Sequence, residues 1–407
     1  MTGQNSVTEA IRAIASGDVV LVVDDEEREN EGDLIMAADA ATPEKVAFFL
    51  RHTSGVLCAS LSAQRCDELQ LPLMVADNTE AQGTAFTVSV DLARGTTTGI
   101  SAVDRAATIR GLADPSLGPR DFARPGHIFP LRSRDGGVLK RAGHTEAASD
   151  LARLAEREPA GVLCEVTSAD KCGMARGPEL RQLACAHRLP MISVADLVAH
   201  RLRRERLVER IAGARIPTRH GVFACHAWRS TLDGTEHLAL TQGVIDEDPP
   251  VLVRVHSECL TGDVLGSRRC DCGAQLDDAL GAIAAERRGV LVYLRGHEGR
   301  GIGLGHKLAA YNLQEAGHDT VDANSLLGLP VDNREYGIGA QILMELGIRR
   351  MRLMTNNPAK YEGLQGYGLE IVERVPLAPR PTLENLAYLE TKRARMGHML
   401  AELTTTG

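Results

Sequence analysis

Aromatic residues are scarce in this chain of 407 residues, because Phe, Trp and Tyr together make up 3% of it and there is a single Trp. Few rings are therefore available to stack on nucleobases, as they do in proteins that bind single-stranded nucleic acids. Cations are also in deficit, since the formal net charge is −8 and the sequence pI is about 5.9. This acidic balance argues against a nucleic-acid partner.

Long apolar runs are missing too, and none approaches the roughly 20 residues that a membrane-spanning helix needs. The first residues, Met1 to Asn5, lack the basic and then apolar pattern of a signal peptide. The nine cysteines are odd in number and widely scattered, which favours reduced thiols over a disulfide framework. We therefore expect a cytoplasmic protein with no membrane partner.

The length corresponds to two or three domains at roughly 150 residues each. Strand-like and helix-like apolar patterns follow one another in both halves, which predicts an α/β (α+β) chain of two mixed-sheet domains, 1–204 and 205–407. A helix predicted over 195–210 joins the two domains. Acidic residues at Glu205 and Glu209 interrupt its arginines, which favours a solvated connector face over a nucleic-acid site. Those arginines are Arg201, Arg203, Arg204, Arg206 and Arg210.

The spacing of apolar residues places the main elements. In the first half it predicts helices over 7–15 and 43–52 and strands over 19–23 and 161–166, with a turn at 124–127. In the second half it predicts strands over 221–228, 236–241 and 251–255 and a helix over 274–287.

Three cysteines of the second half, Cys259, Cys270 and Cys272, lie within fourteen residues. The last two stand in a polar Arg-Arg-Cys-Asp-Cys-Gly run, which argues against cysteines packed as small apolar residues in a core. Three thiolates can hold zinc and leave its fourth position to water, whose pKa zinc lowers to about 7, as a hydrolase requires. Neither His256 nor Cys225 completes a second Cys-x-x-Cys pair.

Glycine occupies every second position over 299–305. Such a turn at the start of a helix exposes amides that suit an anion. It is not a Walker A loop, because His306 stands before Lys307 and Leu308 replaces the Ser or Thr.

An acidic stretch, 24–33, follows the strand predicted over 19–23. An EF-hand loop beginning at Glu27 would place Ala38 where calcium needs a bidentate Glu, so that kind of site is excluded. A solvated loop and a Mg²⁺ site held by one or two carboxylates both remain open.

Four motifs of the first half, taken together, resemble 3,4-dihydroxy-2-butanone-4-phosphate synthase over about residues 1–200. They are Arg28-Glu29-Asn30-Glu31-Gly32-Asp33, Arg124-Pro125-Gly126-His127, Arg141-Ala142-Gly143-His144-Thr145 and Glu165. The resemblance implies conversion of ribulose 5-phosphate to 3,4-dihydroxy-2-butanone 4-phosphate and formate, with Mg²⁺ or Mn²⁺.

The same resemblance implies the roles of individual residues. Glu29 and His144 bind the metal, His127 and Glu165 transfer protons, and Cys58 matches an active-site position. The implied sugar-phosphate site consists of Arg28, Glu29, Asp33, Arg141, Ala142, Gly143, His144, Thr145 and Glu165.

The second half resembles GTP cyclohydrolase II over about residues 205–400, through the cysteine segment and Glu298-Gly299-Arg300, Asp332-Asn333-Arg334 and Thr355 to Lys360. This implies hydrolysis of GTP to 2,5-diamino-6-(ribosylamino)pyrimidin-4-one 5'-phosphate, formate and pyrophosphate. It also implies Zn²⁺ on Cys259, Cys270 and Cys272, Mg²⁺ with the GTP, and Asp332 and Arg334 as the catalytic pair. The implied GTP site consists of Arg254, Val255, His256, Ser257, Glu258, Gln275, Glu298, Gly299, Arg300, Thr320, Thr355 and Lys360, and Tyr311 matches a tyrosine near the purine.

The two halves together resemble the bifunctional enzymes of riboflavin biosynthesis, and by resemblance we expect a homodimer. Two alternatives remain. One half has lost activity and serves only as a dimerisation scaffold, or the chain is a zinc-containing regulatory or nucleic-acid-binding module. The acidic balance and the single Trp speak against the second alternative.

Overall fold

The computed structural model describes residues 3–25, 28–80, 82–246, 248–329, 336–357, 364 and 369–400. The chain divides into two compact units, Met1–Arg204 and Glu205–Gly407. Each unit is built on a mixed sheet of seven strands, which confirms the predicted α/β (α+β) class with two mixed sheets. Within these ranges, every helix is too short or too polar to cross a bilayer.

The first unit places helices on both faces of its sheet. Its helices are α1 (Gly3–Ala15), α2 (Pro43–His52), α3 (Ala63–Glu68), α4 (Ala102–Ala113), α5 (His144–Leu154), α6 (Gly177–His187) and α7 (Val194–Arg204). Its strands are β1 (Val20–Val23), β2 (Gly32–Ala37), β3 (Cys58–Leu61), β4 (Val90–Leu92), β5 (Phe122–Arg132), β6 (Gly161–Glu165) and β7 (Met191–Ser193). They lie in the order β4-β5-β3-β6-β2-β1-β7, with β1–β7 and β3–β5 parallel and the other pairs antiparallel.

Alternate residues of the central strands enter two different cores. Leu21 and Leu34 belong to the core beneath α2 and α4, whereas Val20 and Ile35 belong to the core shared with α1 and α5. Because successive side chains of a strand point to opposite faces, a sheet covered on both sides needs strands that are apolar throughout. The uninterrupted apolar run of β1 is the result.

Local sequence placed α2 accurately. Thr42 accepts a hydrogen bond from the Lys45 amide (3.3 Å), and Pro43 occupies the first helical position. The predicted turn at 124–127 is wrong, because these residues lie inside β5. The pairing of β5 with β4 shifts register between Val90 and Asp91. This irregularity accommodates the extra residues of β5 without ending the strand.

The helix predicted over 195–210 is also too long, because α7 ends at Arg204. Arg201, predicted on a solvated face, is buried instead. Its Nη1 donates to Asp150 Oδ2 and to the Gly136 carbonyl, both at 2.7 Å. The guanidinium therefore connects α7 to α5 and to Gly136, which stands just before the turn at 137–139 that leads into α5.

The second unit has six described helices and seven strands. The helices are α8 (Leu260–Asp263), α9 (Cys272–Glu286), α10 (Leu304–Glu315), α11 (Thr320–Leu326), α12 (Gly337–Glu345) and α13 (Leu386–Arg395). The strands are β8 (Val208–Thr218), β9 (Gly221–Ser230), β10 (Glu236–Gln242), β11 (Val251–Ser257), β12 (Gly289–Leu294), β13 (Arg350–Met354) and β14 (Glu370–Val375), in the order β14-β13-β11-β12-β10-β9-β8.

The predicted strands β9, β10 and β11 and the predicted helix α9 are confirmed. Strands β11 to β14 pair in parallel, and β8, β9, β10 and β12 pair as an antiparallel meander. In parallel sheets ligands bind beyond the carboxyl ends of the strands. The carboxyl ends of β11, β12 and β13 deliver the segments that form the second site below.

The Arg201–Asp150 pair yields a stability prediction. Replacing Arg201 by Met leaves the buried Asp150 carboxylate without its main cation, and we expect a loss of about 3–5 kcal/mol of local stability. Hydrogen exchange of the α5 and α7 amides measures this loss. Arg204→Met, on the exposed end of the same helix, is the control and should change exchange by less than about 0.5 kcal/mol. Equal protection in the two variants would show that the pair is not holding α7.

Candidate active sites

Three potential metal ligands converge in the first unit. Asp24, Glu29 and His144 each bring one ligand atom within 4.8 Å of the other two. Asp24 follows β1, Glu29 lies in the loop before β2, and His144 is the first residue of α5. The predicted pair of Glu29 and His144 therefore lies together, and the structure adds Asp24 to it.

The acidic loop after β1 folds around Asp24 and does not extend into solvent. Its carboxylate accepts hydrogen bonds from the amides of Glu29 (3.1 Å) and Glu31 (2.8 Å). Arg28 Nη1 donates to the same carboxylate at 2.8 Å. Asp24 thus fixes the position from which Glu29 reaches the cluster.

The electrostatics of the cluster fit a bound cation. His144 Nδ1 lies 3.8 Å from Glu29 Oε2 and 3.7 Å from Asp33 Oδ1. Burial raises the pKa of Asp33 to about 7, and hydrogen bonding to His144 lowers the pKa of Glu29. Burial alone would lower the pKa of His144, but the carboxylates of Asp33, Glu29 and Asp24 raise it to about 9.

Two buried atoms of this group, Asp33 Oδ1 and His144 Nε2, make no hydrogen bond among the described residues. Crowded carboxylates with an unsatisfied oxygen favour a hard divalent cation, and a carboxylate and imidazole donor set suits Mg²⁺ or Mn²⁺. The residues present therefore fit the metal implied by the resemblance.

The amino end of α5 forms an anion site beside the cluster. A Cβ placed on Gly143 would lie 2.7 Å from Arg141 Nη1 and 3.0 Å from Arg28 Nη2. Two guanidiniums thus stand over the first amides of a helix, where the helix dipole also favours negative charge. Thr145 is buried in the first turn, and Ser60 Oγ donates to its carbonyl at 2.6 Å. The segment from Arg141 to Thr145, including Ala142, is therefore adjacent to the cation cluster.

Glu165 ends β6 directly opposite Asp33 on β2. Its Oε2 accepts from Ser54 Oγ at 2.9 Å, and its side chain is half-buried. Cys58 is buried, and burial raises its pKa well above that of a free thiol. A thiol held protonated in this way is a poor nucleophile.

His127 forms a separate pair with Asp91. Its Nδ1 lies 2.6 Å from Asp91 Oδ2, its amide donates to Asp91 Oδ1 at 2.9 Å, and its side chain is 41% exposed. A carboxylate on one ring nitrogen leaves the other available for proton transfer. Gly99 covers the pair closely, since a Cβ there would lie 2.0 Å from Asp91 Oδ2. No sequence motif marked Asp91, because its partner is 36 residues away in the chain.

The predicted sulfur cluster is present in the second unit. One ligand atom from each of Cys259, Cys270 and Cys272 lies within 4.8 Å of the others, and Cys259 Sγ is 3.7 Å from Cys270 Sγ. Zinc with sulfur at 2.3 Å in tetrahedral geometry separates two sulfurs by about 3.8 Å. Among the described residues, neither His256 nor Cys225 joins this group.

Glycine leaves the space above the three sulfurs open. A Cβ on Gly262 would lie 2.9 Å from Cys270 Sγ and 3.2 Å from Cys259 Sγ. Hydrogen bonds from the thiols of Cys270 and Cys272, together with the charge of Lys307, lower the pKa of Cys259. The hydrogen bond with Cys259 raises the pKa of Cys270 to about 11. Three thiolates this close need a cation to be ionised together, so the residues fit zinc.

His256 is held away from the sulfurs by Asp263. Its Nε2 lies 3.1 Å from both carboxylate oxygens of Asp263, which also accepts from the Cys259 amide at 3.0 Å and from Tyr293 Oη at 2.9 Å. Asp263 therefore links the strand residue His256 to the first cysteine.

A cavity of about 1080 Å³, counting the part open to solvent, lies beside the sulfur cluster. The predicted GTP residues that line it are Arg254, His256, Ser257, Glu258, Gln275, Gly299, Arg300, Thr320 and Thr355, together with Tyr311.

Two predicted GTP residues face elsewhere. The side chain of Val255 is in the core against α12, because Arg254 and His256 take the opposite face of β11. Glu298 is buried and accepts from the Leu260 amide (2.6 Å) and from Lys307. Asp332, Arg334 and Lys360 lie outside the described residues.

The glycine-rich turn presents an arginine to the cavity. Gly299 and Arg300 have φ of 59° and 66°, a region that glycine enters freely and arginine seldom does. Arg300 Nη1 and Nη2 are buried without a hydrogen-bond partner among the described residues. A buried guanidinium with free donors favours an anionic ligand such as phosphate.

Sequence reasoning missed several residues of this site. Lys307 donates to Cys259 Sγ at 3.1 Å and to Thr261 Oγ1 at 2.8 Å. Tyr388 and Lys392 reach the cavity from α13. The position of Lys307 just after the glycine-rich stretch could have indicated its role. No local sequence pattern indicated that α13 contributes to the site.

Comparison with known proteins gives two family matches. A family model for 3,4-dihydroxy-2-butanone 4-phosphate synthase matches residues 8–200, and one for GTP cyclohydrolase II matches residues 209–376.

Curated relatives extend over the whole chain. The chain is 61% identical over 408 residues to the riboflavin biosynthesis protein RibBA of Rhodococcus jostii, covering 99% of this chain and 98% of the relative. It is 61% identical over 399 residues to the bifunctional riboflavin biosynthesis protein RIBA 1, chloroplastic, of Arabidopsis thaliana, covering 98% and 73%. A crystal structure of RibBX from A. baumannii, described as a two domain 3,4-dihydroxy-2-butanone 4-phosphate synthase, is 37% identical with a TM-score of 0.71, covering 92% of this chain and 99% of that one.

The first cluster yields a pH prediction. A cation must displace the proton of His144, whose pKa is about 9 without metal, so binding of Mn²⁺ should release protons at pH 7. Below that pKa we expect affinity to rise about tenfold per pH unit as the proton is lost. Calorimetric titration in two buffers of different ionisation enthalpy measures both quantities.

Glu29→Gln should weaken this binding, whereas Glu44→Gln, on exposed surface of α2, should leave it unchanged. An affinity that is constant between about pH 6.5 and 8.5 would contradict ligation by His144.

Proposed function

The chain belongs to the family of bifunctional riboflavin biosynthesis proteins, which join a 3,4-dihydroxy-2-butanone 4-phosphate synthase to a GTP cyclohydrolase II, and from this membership we propose which residues carry each reaction. The enzyme is a lyase that converts D-ribulose 5-phosphate to 3,4-dihydroxy-2-butanone 4-phosphate and formate. It is also a hydrolase that converts GTP to 2,5-diamino-6-(ribosylamino)pyrimidin-4-one 5'-phosphate, formate and pyrophosphate. We assign the lyase to residues 1–204 and the hydrolase to residues 205–407.

In the synthase site, we propose that Glu29 and His144, with Asp24, hold Mg²⁺ or Mn²⁺. When bound, the cation supplies positive charge next to the oxygens of the sugar as an enediolate develops. Arg28 and Arg141, with the first amides of α5, bind the phosphate of ribulose 5-phosphate. The convergence of two guanidiniums on Gly143 supports this assignment.

Enolisation of a ketose needs a base and an acid positioned at neighbouring carbons. We propose His127 and Glu165 for these proton transfers. Asp91 holds the His127 ring by Nδ1, which fixes the orientation of the ring. Ser54 orients Glu165, and Asp33 lies opposite it to bind the sugar hydroxyls.

In the cyclohydrolase site, we propose that Cys259, Cys270 and Cys272 hold Zn²⁺. When bound, zinc supplies Lewis acidity that makes hydroxide available at neutral pH for hydrolysis at the purine. Arg300 and Arg254 bind the phosphates, which carry their own Mg²⁺, and Tyr311 packs near the purine. Lys307 neutralises excess negative charge at Cys259 and positions Glu298.

We propose Arg334 as a clamp on the α-phosphate and Asp332 as its partner. A guanidinium is permanently charged in proteins, so it serves better as a fixed cation that stabilises the transition state than as a nucleophile. This assignment rests on the resemblance, since both residues lie outside the described ranges.

The sulfur cluster is the observation that best supports activity in the second half of the chain, and therefore two reactions on one chain. A two-domain relative is described only as a synthase, so two domains alone do not establish two reactions. In this chain the three sulfurs converge beside a cavity that contains nine of the predicted GTP side chains and backbone positions. A domain that served only as a scaffold would not need that arrangement.

We also propose a homodimer in the cytoplasm. The adjacent apolar residues Leu73, Met74 and Val75 are each about half exposed, and clustered exposed apolar side chains are typical of an interface.

The division of labour is tested by two reciprocal variants. Cys272→Ser should abolish formate release from GTP and preserve formate release from ribulose 5-phosphate, because only the zinc site is altered. His144→Ala should do the reverse. Cys185→Ser, an exposed cysteine of the first unit, is the control. Loss of both activities in a folded single variant would overturn the division at residues 204 and 205.

The role of Arg334 is tested by Arg334→Lys. A lysine keeps the charge but loses the planar fork, so we expect GTP turnover to fall about 10- to 100-fold while synthase turnover is unchanged. Mass spectrometry of enzyme quenched with denaturant at alkaline pH, where a nitrogen–phosphorus bond survives, should find no phosphoryl adduct on residue 334. A trapped adduct there would establish the covalent route instead.

A further inference from the structure

Helix α13 lies beyond residue 376, where the GTP cyclohydrolase II match ends. Nevertheless Tyr388 and Lys392 of this helix, and His398 after it, line the cavity beside the sulfur cluster. The carboxyl-terminal segment is therefore part of the wall of the site.

Three contacts fasten this segment to the site. Lys392 Nζ donates to Asp271 Oδ1 at 2.8 Å, and Asp271 stands between two of the cysteines. Arg395 Nη1 donates to Asp322 Oδ1 at 2.8 Å in the first turn of α11. The Met399 amide donates to the Asn356 carbonyl at 2.9 Å, in the turn that follows β13. Each contact reaches a segment that carries a proposed substrate or metal residue.

The first contact begins a buried chain of hydrogen bonds. Gln275 Nε2 donates to Asp271 Oδ2 at 2.5 Å, and Arg254 Nη2 donates to Gln275 Oε1 at 2.7 Å. Arg254 Nη1 donates onward to the Met354 carbonyl at 2.8 Å. Because a carboxylate only accepts and a guanidinium only donates, the Gln275 amide has one possible orientation between them.

The buried charge of Asp271 explains why this series of hydrogen bonds needs a lysine at its end. Lys392 is 7% exposed and Asp271 is 3% exposed, so neither charge is compensated by water. Without Lys392, the buried Asp271 carboxylate would keep the neutral amide of Gln275 as a side-chain donor but would lose the cation that neutralises it. The Tyr388 ring centroid lies 4.5 Å from Lys392 Nζ and holds the ammonium in place.

We propose that Lys392 is a positioning residue of the GTP site. By neutralising Asp271 it holds the loop of Cys270 and Cys272, and through Gln275 it orients Arg254 toward the substrate. The inference rests on the proposed zinc and GTP roles of this cavity, and it makes the carboxyl-terminal helix a functional part of the cyclohydrolase.

The test compares Lys392→Met, Asp271→Asn and the double variant in the full chain. Lys392→Met strands a buried carboxylate, so kcat/KM for GTP should fall at least about tenfold. The double variant removes both charges but keeps an acceptor for Gln275, and should return to within about threefold of the parent enzyme. Arg393→Met, exposed on the same helix, is the matched control and should match the parent.

A spectroscopic measurement separates positioning from general damage. With Co²⁺ in place of zinc, the thiolate charge-transfer and ligand-field bands report the geometry of the cysteines directly. We expect these bands to shift in Lys392→Met and to return in the double variant. Synthase turnover on the same polypeptide should stay constant in all four variants.

Two outcomes would overturn the proposal. Parent-like GTP turnover and Co²⁺ bands in Lys392→Met would show that the lysine is dispensable. A double variant as impaired as Lys392→Met would show that the lysine does not act through Asp271, and this comparison holds even if the single variant unfolds the second unit. Failure of the proposed function is distinct, since the parent enzyme itself would then release no formate from GTP.

Discussion

Repulsion between crowded negative groups is the constraint on which both sites depend. The first unit gathers Asp24, Glu29 and Asp33 around one histidine, and the second gathers three thiols. Neither arrangement is stable as a set of bare anions in a low-dielectric environment. Each arrangement therefore fits a divalent cation: the oxygen and nitrogen donors suit a hard ion, and the sulfur donors suit zinc.

Cationic side chains neutralise part of the negative charge in and around both clusters. Arg28 touches Asp24, Lys307 touches Cys259, and Lys392 touches Asp271. Each lies at the edge of its cluster, where it neutralises the excess charge and leaves the centre open. Asp271, which Lys392 neutralises, also accepts a hydrogen bond from Gln275, and Gln275 in turn accepts one from the anion-binding residue Arg254.

The two sites use the same architectural means although their sheets differ in strand order. Each is assembled where strands end and helices begin, because free amides, helix dipoles and glycine turns are available only there. Gly143 lets Arg28 and Arg141 close on α5, and Gly262 leaves room over the sulfurs. A methyl group would press against both guanidiniums at Gly143, and against the sulfurs of Cys259 and Cys270 at Gly262.

Ligand sets that are compact in sequence could be predicted with their chemistry. Cys259, Cys270 and Cys272 fall within fourteen residues, with the short helix α8 between the first two, so spacing alone indicated a metal. Glu29 and His144 are 115 positions apart in the numbering and were paired by resemblance alone. Short motifs also failed on geometry: the turn predicted at 124–127 is strand, and Arg201, assigned to a solvated face, is buried against Asp150.

The sequence by itself determined the two families and the class of fold, and it indicated Cys259, Cys270 and Cys272 as candidate metal ligands, because these depend on residue type, motifs and local spacing. Only the tertiary structure revealed Asp24 beside Glu29 and His144, Asp91 on the ring of His127, and Lys392 on Asp271 between Cys270 and Cys272. These three act through partners on other elements, and a contact between distant segments leaves no periodic or local trace in the chain. Charge compensation is a property of the folded neighbourhood, so it becomes visible only when the sheet and helices bring those segments together.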